Sequence, residues 1–128
     1  MQIKFNDETT LDVVTINGTS RYFQGVNRDS LEIQLEKGKY TLESLDTLTG
    51  NSENTKKLTI LDGESEYIHD SYTLRAELSV RPVVVTENTS GAPAESEERV
   101  CIVLAQKTYA ELELESLRET VSKLALAK

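Results

Sequence analysis

Residues 72–86 read YTLRAELSVRPVVVT, and the alternation within them separates a sheet protein from a helical one. Tyr72, Leu74, Ala76, Leu78, Val80 and Pro82 share one parity, while Thr73, Arg75, Glu77, Ser79 and Arg81 share the other. Strand side chains point alternately to opposite faces, so this order describes a long strand with one apolar and one wet face. The extended run begins near Glu66, with turns or bends expected at Asp62-Gly63 and at His69-Asp70. Pro82 has no N–H to give to a ladder, which places the distal part of the strand at a sheet edge or leaving the sheet.

Toward the amino terminus the chain continues as short strands and turns. Gln2 to Phe5 alternates, Asn6-Asp7-Glu8-Thr9 has turn composition, and Leu11 to Ile16 is apolar and β-branched enough to pair back. Asn17-Gly18 is the dipeptide that supplies the positive φ angles of a tight hairpin, so Ser20 to Gln24 is predicted to fold back on the preceding strand. Ser30 to Leu35 alternates strictly, Leu31, Ile33 and Leu35 against Glu32, Gln34 and Glu36, as a half-buried strand does. The period then changes. Leu42, Leu45 and Leu48 recur three apart behind Thr41 as N-cap, and Gly50 closes a short helix whose leucines are expected to pack on the sheet. Lys56 to Leu61 is a further strand with Leu58 and Ile60 inward.

Toward the carboxyl terminus, residues Glu87 to Glu98 (ENTSGAPAESEE) are polar, acidic and nearly without an apolar anchor, the composition of a mobile loop. The loop joins two apolar strands, Val83 to Thr86 and Arg99 to Ala105, which are expected to pair as one long hairpin. Beyond them Thr108 and Glu111 have capping-box spacing, and Ala110, Leu114, Leu117, Val121 and Leu124 follow at intervals of four, three, four and three. Acidic residues crowd the first turns and Lys123 and Lys128 stand at the end, which complements the helix dipole. Two heptads fall short of the three or four that define a coiled coil from sequence. The seam of Leu114, Leu117, Val121 and Leu124 therefore has two uses open to it, packing on its own β-domain or meeting copies of itself, and self-association is the favoured one. The fold class is α+β: an antiparallel β-rich domain over 1–106 with one short helix and the acidic loop 87–98, then a C-terminal amphipathic helix over 107–128.

Composition narrows the function. The 128 residues hold 14 basic and 22 acidic side chains, a formal charge of -8, the wrong sign for a sequence-independent phosphate binder, so nucleic acid is not an expected partner. No apolar run approaches a membrane span, and MQIKFNDETT lacks the basic and apolar regions of a secretory leader, so the expected place is the cytosol. Cys101 is the one cysteine and sits in an apolar run, where it reads as a core residue and not a nucleophile. His69 is the one histidine and reads as a solvated turn residue, so neither a two-histidine metal site nor a relay can form within one subunit. Carboxylates are plentiful but nothing marks one pair, so no catalytic residue, no metal site and no cofactor is expected, and the chain reads as a non-enzyme. Arg21, Tyr22 and Arg28 belong to the one cluster that combines aromatic residues with arginine, a composition found at binding hot spots. The competing reading there is a core Phe23 with its arginines in water.

Three stretches, MQIKFNDETTLDVVTINGTSRYFQG, YTLRAELSVRPVVVT and AQKTYAELELESLRETVSKLAL, resemble an uncharacterised family of small acidic proteins of tailed phages and prophages of Gram-positive gut bacteria. The resemblance implies a gene of the tail or late structural region and brings no catalytic residues. The expected function is then a structural or accessory protein of a phage tail or baseplate, assembling through β-edges and the C-terminal helix. Its partners would be its own copies and other phage structural proteins, in the bacterial host cytoplasm and then in the virion. The first alternative is a monomeric binding module that inhibits or adapts a host protein, its acidic surface mimicking nucleic acid. A cell-wall glycan hydrolase working by paired carboxylates is the third.

Overall fold

The computed structural model describes residues 1–86 and 95–126, with side chains described over 1–83 and 96–121. In chain order the elements are β1 (Gln2–Lys4), β2 (Thr10–Asp12), β3 (Thr15–Phe23), β4 (Val26–Glu36), α1 (Leu42–Thr49), β5 (Lys57–Asp62), β6 (Ser65–Asp70), β7 (Leu74–Thr86), β8 (Glu95–Ala105) and α2 (Tyr109–Leu126). Two four-stranded antiparallel sheets form, ordered β2-β1-β5-β6 and β3-β4-β8-β7. The fold is α+β, with a β-rich body, one short helix and a C-terminal helix.

Alternation builds the core. Ile3, Phe5, Leu11, Val13 and Leu58 from the first sheet meet Leu31, Ile33, Leu35, Val100, Ile102 and Leu104 from the second, and Leu45 and Leu48 of α1 join the same cluster. The leucines of α1 divide: Leu45 and Leu48 are buried while Leu42 stays exposed. Its start is capped by Thr41, whose Oγ1 accepts the Ser44 N–H at 3.1 Å. At its end Gly50 donates to Asp46 O at 2.8 Å, and a Cβ there would stand 2.7 Å from that oxygen, so any side chain would force the helix end to shift.

The two sheets are joined by single residues that change partner. Val13 N–H donates to Met1 O in the first sheet, and the next amide, Val14, donates to Gln34 O in the second. The extended run beginning at Glu66 is broken the same way: β6 ends at Asp70, Ser71 takes a φ of 69°, and β7 starts in the other sheet. The break falls one residue beyond His69-Asp70. His69 itself lies in β6 opposite Leu58, half-buried with its ring edge-on to Tyr72 at 5.9 Å, so it is not a turn residue.

Asn17-Gly18 does not turn. β3 runs straight through it, pairing Asn17 with Glu32 and Gly18 with Leu31, and the reversal comes at Gln24-Gly25, where φ is 50° and 86°. Two positive φ angles are what a two-residue type I′ hairpin needs. The physical reason is the partner: a turn at Asn17 would strand the apolar residues of β4, whose match to β3 extends over nine pairs from Thr15↔Gln34 to Phe23↔Val26.

The acidic loop also needs correction. Glu87 to Ala94 lie outside the described residues, but Glu95 to Glu98 belong to β8 and pair with Thr86, Val84, Val83 and Pro82. Val83 to Thr86 therefore pair with the acidic end of β8, while Arg99 to Ala105 pair with Leu74 to Arg81. Opposite charge lets an acidic strand lie here, Lys37 pairing with Glu98 and Arg99 with Glu97.

Candidate functional site

α2 starts where the sequence places it. The Thr108 N–H donates to Glu111 Oε1 at 2.9 Å and the Glu111 N–H donates to Thr108 Oγ1 at 3.2 Å, which closes the capping box. The same Glu111 carboxylate is tied to the body. Arg28 of β4, 3 % exposed, gives Nη2 to Glu111 Oε2 at 3.0 Å and Nη1 to Glu111 Oε1. Its other N–H groups go to the carbonyls of Phe23 (2.7 Å), Gln106 (3.2 Å) and Gln24 (3.4 Å). The Arg28 guanidinium, and after it the Thr108 amide, hold the Glu111 carboxyl at about 2, well below the usual range. Lys107 pairs with Glu115 on the next turn.

This anchor fixes which way the helix faces. Leu112 and Glu115 line a cleft of about 800 Å³ with Ser52, Lys56, Thr73 and Leu74 of the body. At about 100° per residue the seam positions lie on the opposite side of the helix from Leu112. Leu114, Leu117 and Val121 are 48 %, 61 % and 57 % exposed, and Leu112 on the cleft side is 44 % exposed. The seam does not pack on its own β-domain at any of these three positions, and a shallow apolar surface of Ala110, Leu114 and Leu117 runs along the helix. Leu124 continues the spacing in sequence, with its side chain outside the described residues.

The aromatic and arginine cluster separates. Arg28 is a buried anchor with every donor group directed at protein oxygens, so it presents nothing to a partner. Tyr22, 69 % exposed, stands on β3 with its side chain opposite in parity to Arg21. Arg21 reaches Glu77 Oε1 at 2.6 Å.

That last contact was not legible in the sequence. β3 and β7 are the two edges of their sheet, and three strand spacings of about 4.8 Å would keep them about 14 Å apart in a flat sheet. The Arg21–Glu77 bond therefore requires the sheet to curl around its polar face. Glu77 also accepts from Ser79 (2.7 Å) and Arg81 (3.0 Å), Arg81 pairs with Glu32, and Arg99 donates to Gln34 at 3.0 Å. Burial alone would raise the Glu77 carboxyl, but Ser79, Arg21 and Arg81 hold it at about 2. Beneath these charges, with Arg21 and Arg81 themselves 40 % and 39 % exposed, Cys101, Val103 and Ala105 are fully buried and Gln34 nearly so, so the face expected to be wet covers a dry layer. Cys101 is the core residue its apolar run implies, and burial pushes its thiol up.

The sheet edges differ in character. β7 carries Pro82 and two breaks in register, features that blunt an edge, whereas β6 at the outer side of the first sheet exposes Tyr67 and Ile68. Among the described residues no helix is long and apolar enough to cross a membrane, and no three His, Cys, Asp or Glu side chains stand where they could share a metal. Comparison of the chain with protein-family models, with curated proteins and with solved structures gives no match.

Proposed function

We propose that this protein is a structural or accessory component of a larger assembly, joined to other copies of itself through the C-terminal helix. One observation carries the reading: Leu114, Leu117 and Val121 form an apolar stripe turned away from the body to which the helix is anchored. Monomeric soluble proteins rarely leave such a row of large apolar side chains in water, because burying each one is worth about 1.5–3 kcal/mol. The helix is also prepared for this use, since the capping box and Arg28 hold its first turn and so remove much of the cost of nucleating a short helix. The exposed Tyr67 and Ile68 on the β6 edge offer a second, strand-mediated contact. The resemblance to small acidic phage proteins gives the assembly a setting, a tail or baseplate built in a bacterial cytoplasm.

The alternative of a monomeric module that adapts or inhibits a host protein is favoured by one feature, the exposed Tyr22 at the tip of the β3–β4 hairpin on a chain of charge -8. Light scattering on size exclusion distinguishes the two. The full chain is expected as an oligomer, and Leu117→Asp with Val121→Asp as a folded monomer. A wild-type monomer at all concentrations, with host proteins recovered in a pull-down that Tyr22→Ala abolishes, would replace the assembly reading by the binding module.

A further inference from the structure

We infer that two copies of α2 pair in parallel, with Glu113 of each helix set against Arg118 of the other. This rests on the assembly reading and names its geometry. In heptad terms Leu114 and Val121 occupy the a positions, and Ala110, Leu117 and Leu124 the d positions. Glu113 then stands at g and Arg118 at the following e, flanking the exposed stripe on its two sides. In a parallel pair, g of one helix lies beside the next e of its partner, so the two-fold arrangement makes two Glu113–Arg118 contacts of opposite charge. The antiparallel alignment that stacks Leu114 on Leu124 and Leu117 on Val121 instead brings Arg118 against Arg118.

The other flanking positions agree. At e the first turn has Glu111, whose carboxylate is engaged by Arg28 and the Thr108 amide, and at g the second heptad has the uncharged Thr120. Glu113 and Arg118 therefore supply the charge pattern that sets orientation. Among the described residues neither Glu113 nor Arg118 makes an ion pair within its own chain. A β-branched residue at a with leucine at d, as Val121 with Leu117 and Leu124, favours two strands. Ala110, the layer next to the bodies, is small enough for the helices to close there.

Leu112, itself 44 % exposed, borders the cleft shared with its own body on the side of the helix opposite the stripe, so the seam faces away from that cleft.

The test uses the full chain at a series of concentrations in sedimentation velocity, with far-UV circular dichroism as a check of folding. Wild type is expected as a reversible dimer. Glu113→Arg and Arg118→Glu, each placing like charges at both contacts, should each weaken dimerisation about tenfold. In an equimolar mixture of the two variants, each mixed dimer holds one native Glu113–Arg118 contact and one with its charges exchanged, so both contacts are again of opposite sign. The mixture should regain the wild-type midpoint. If Leu117→Asp abolishes the dimer while both charge variants and their mixture behave as wild type, the helix is the interface but the parallel pairing is overturned. If wild type remains a monomer throughout, the assembly reading fails and the pairing with it.

Discussion

Arg28 and Glu111 stand 83 residues apart in the chain and meet two-toothed, both guanidinium Nη atoms on both carboxylate oxygens. One carboxylate thus closes the start of α2 and fastens that start to the β3–β4 hairpin. Arg28 in return holds three carbonyls at the end of the same hairpin and before the helix.

Replacing Arg28 by Met keeps most of the stem volume while leaving these carbonyls and Glu111 without their donor. The loss should be about 2–4 kcal/mol, read as a lower urea midpoint with an unchanged slope. Arg28→Lys keeps the charge but not the fork and should recover less than half of it. A midpoint for Arg28→Met equal to wild type would show that α2 is not fastened here.

Stability should fall in acid. Glu111 and Glu77 titrate at about 2 in the folded protein against an ordinary 4.5. Between these values the unfolded chain binds the extra protons, so lowering the pH favours unfolding. Their contribution is complete above about pH 5 and is lost progressively toward pH 2. Urea midpoints measured across that range should slope for wild type and flatten for Glu77→Gln combined with Glu111→Gln.

The two glycines of the β3–β4 hairpin should respond in opposite ways. Gly25 has a φ of 86°, which a side chain adopts at a cost, so Gly25→Thr should destabilise by about 1–2 kcal/mol. Gly18 lies mid-strand with open space where a Cβ would stand, so Gly18→Thr should be neutral or stabilise by up to about 1 kcal/mol. Thermal midpoints of the two variants make the comparison. The reverse order would return the turn to Asn17-Gly18.

Cys101 is fully buried beneath the Arg81, Glu77 and Gln34 layer, and burial pushes its thiol up. Alkylation by iodoacetamide should therefore be slow in buffer and should accelerate with urea in step with global unfolding. Rapid modification of the native protein would mean that the curled sheet opens on its own.

Local chemistry carried much of this architecture. Strict alternation gave Leu31, Ile33 and Leu35 to the core, three-residue spacing behind Thr41 gave α1, and the Thr108–Glu111 spacing gave the start of α2, because each depends on neighbours within one turn or one strand. The stripe of Leu114, Leu117 and Val121 was legible for the same reason. Its exposure was not, since that depends on where a residue 83 positions away holds the helix. Asn17-Gly18 misled because a dipeptide's turn propensity is small against nine strand pairs that bury an apolar face. The polar parity of β4 and β7 read as wet, yet curling of the sheet brought Arg21 to Glu77 and set that face over a dry layer around Cys101. Periodicity records which side of a strand is apolar, whereas curvature and long-range ion pairs settle whether the other side meets water.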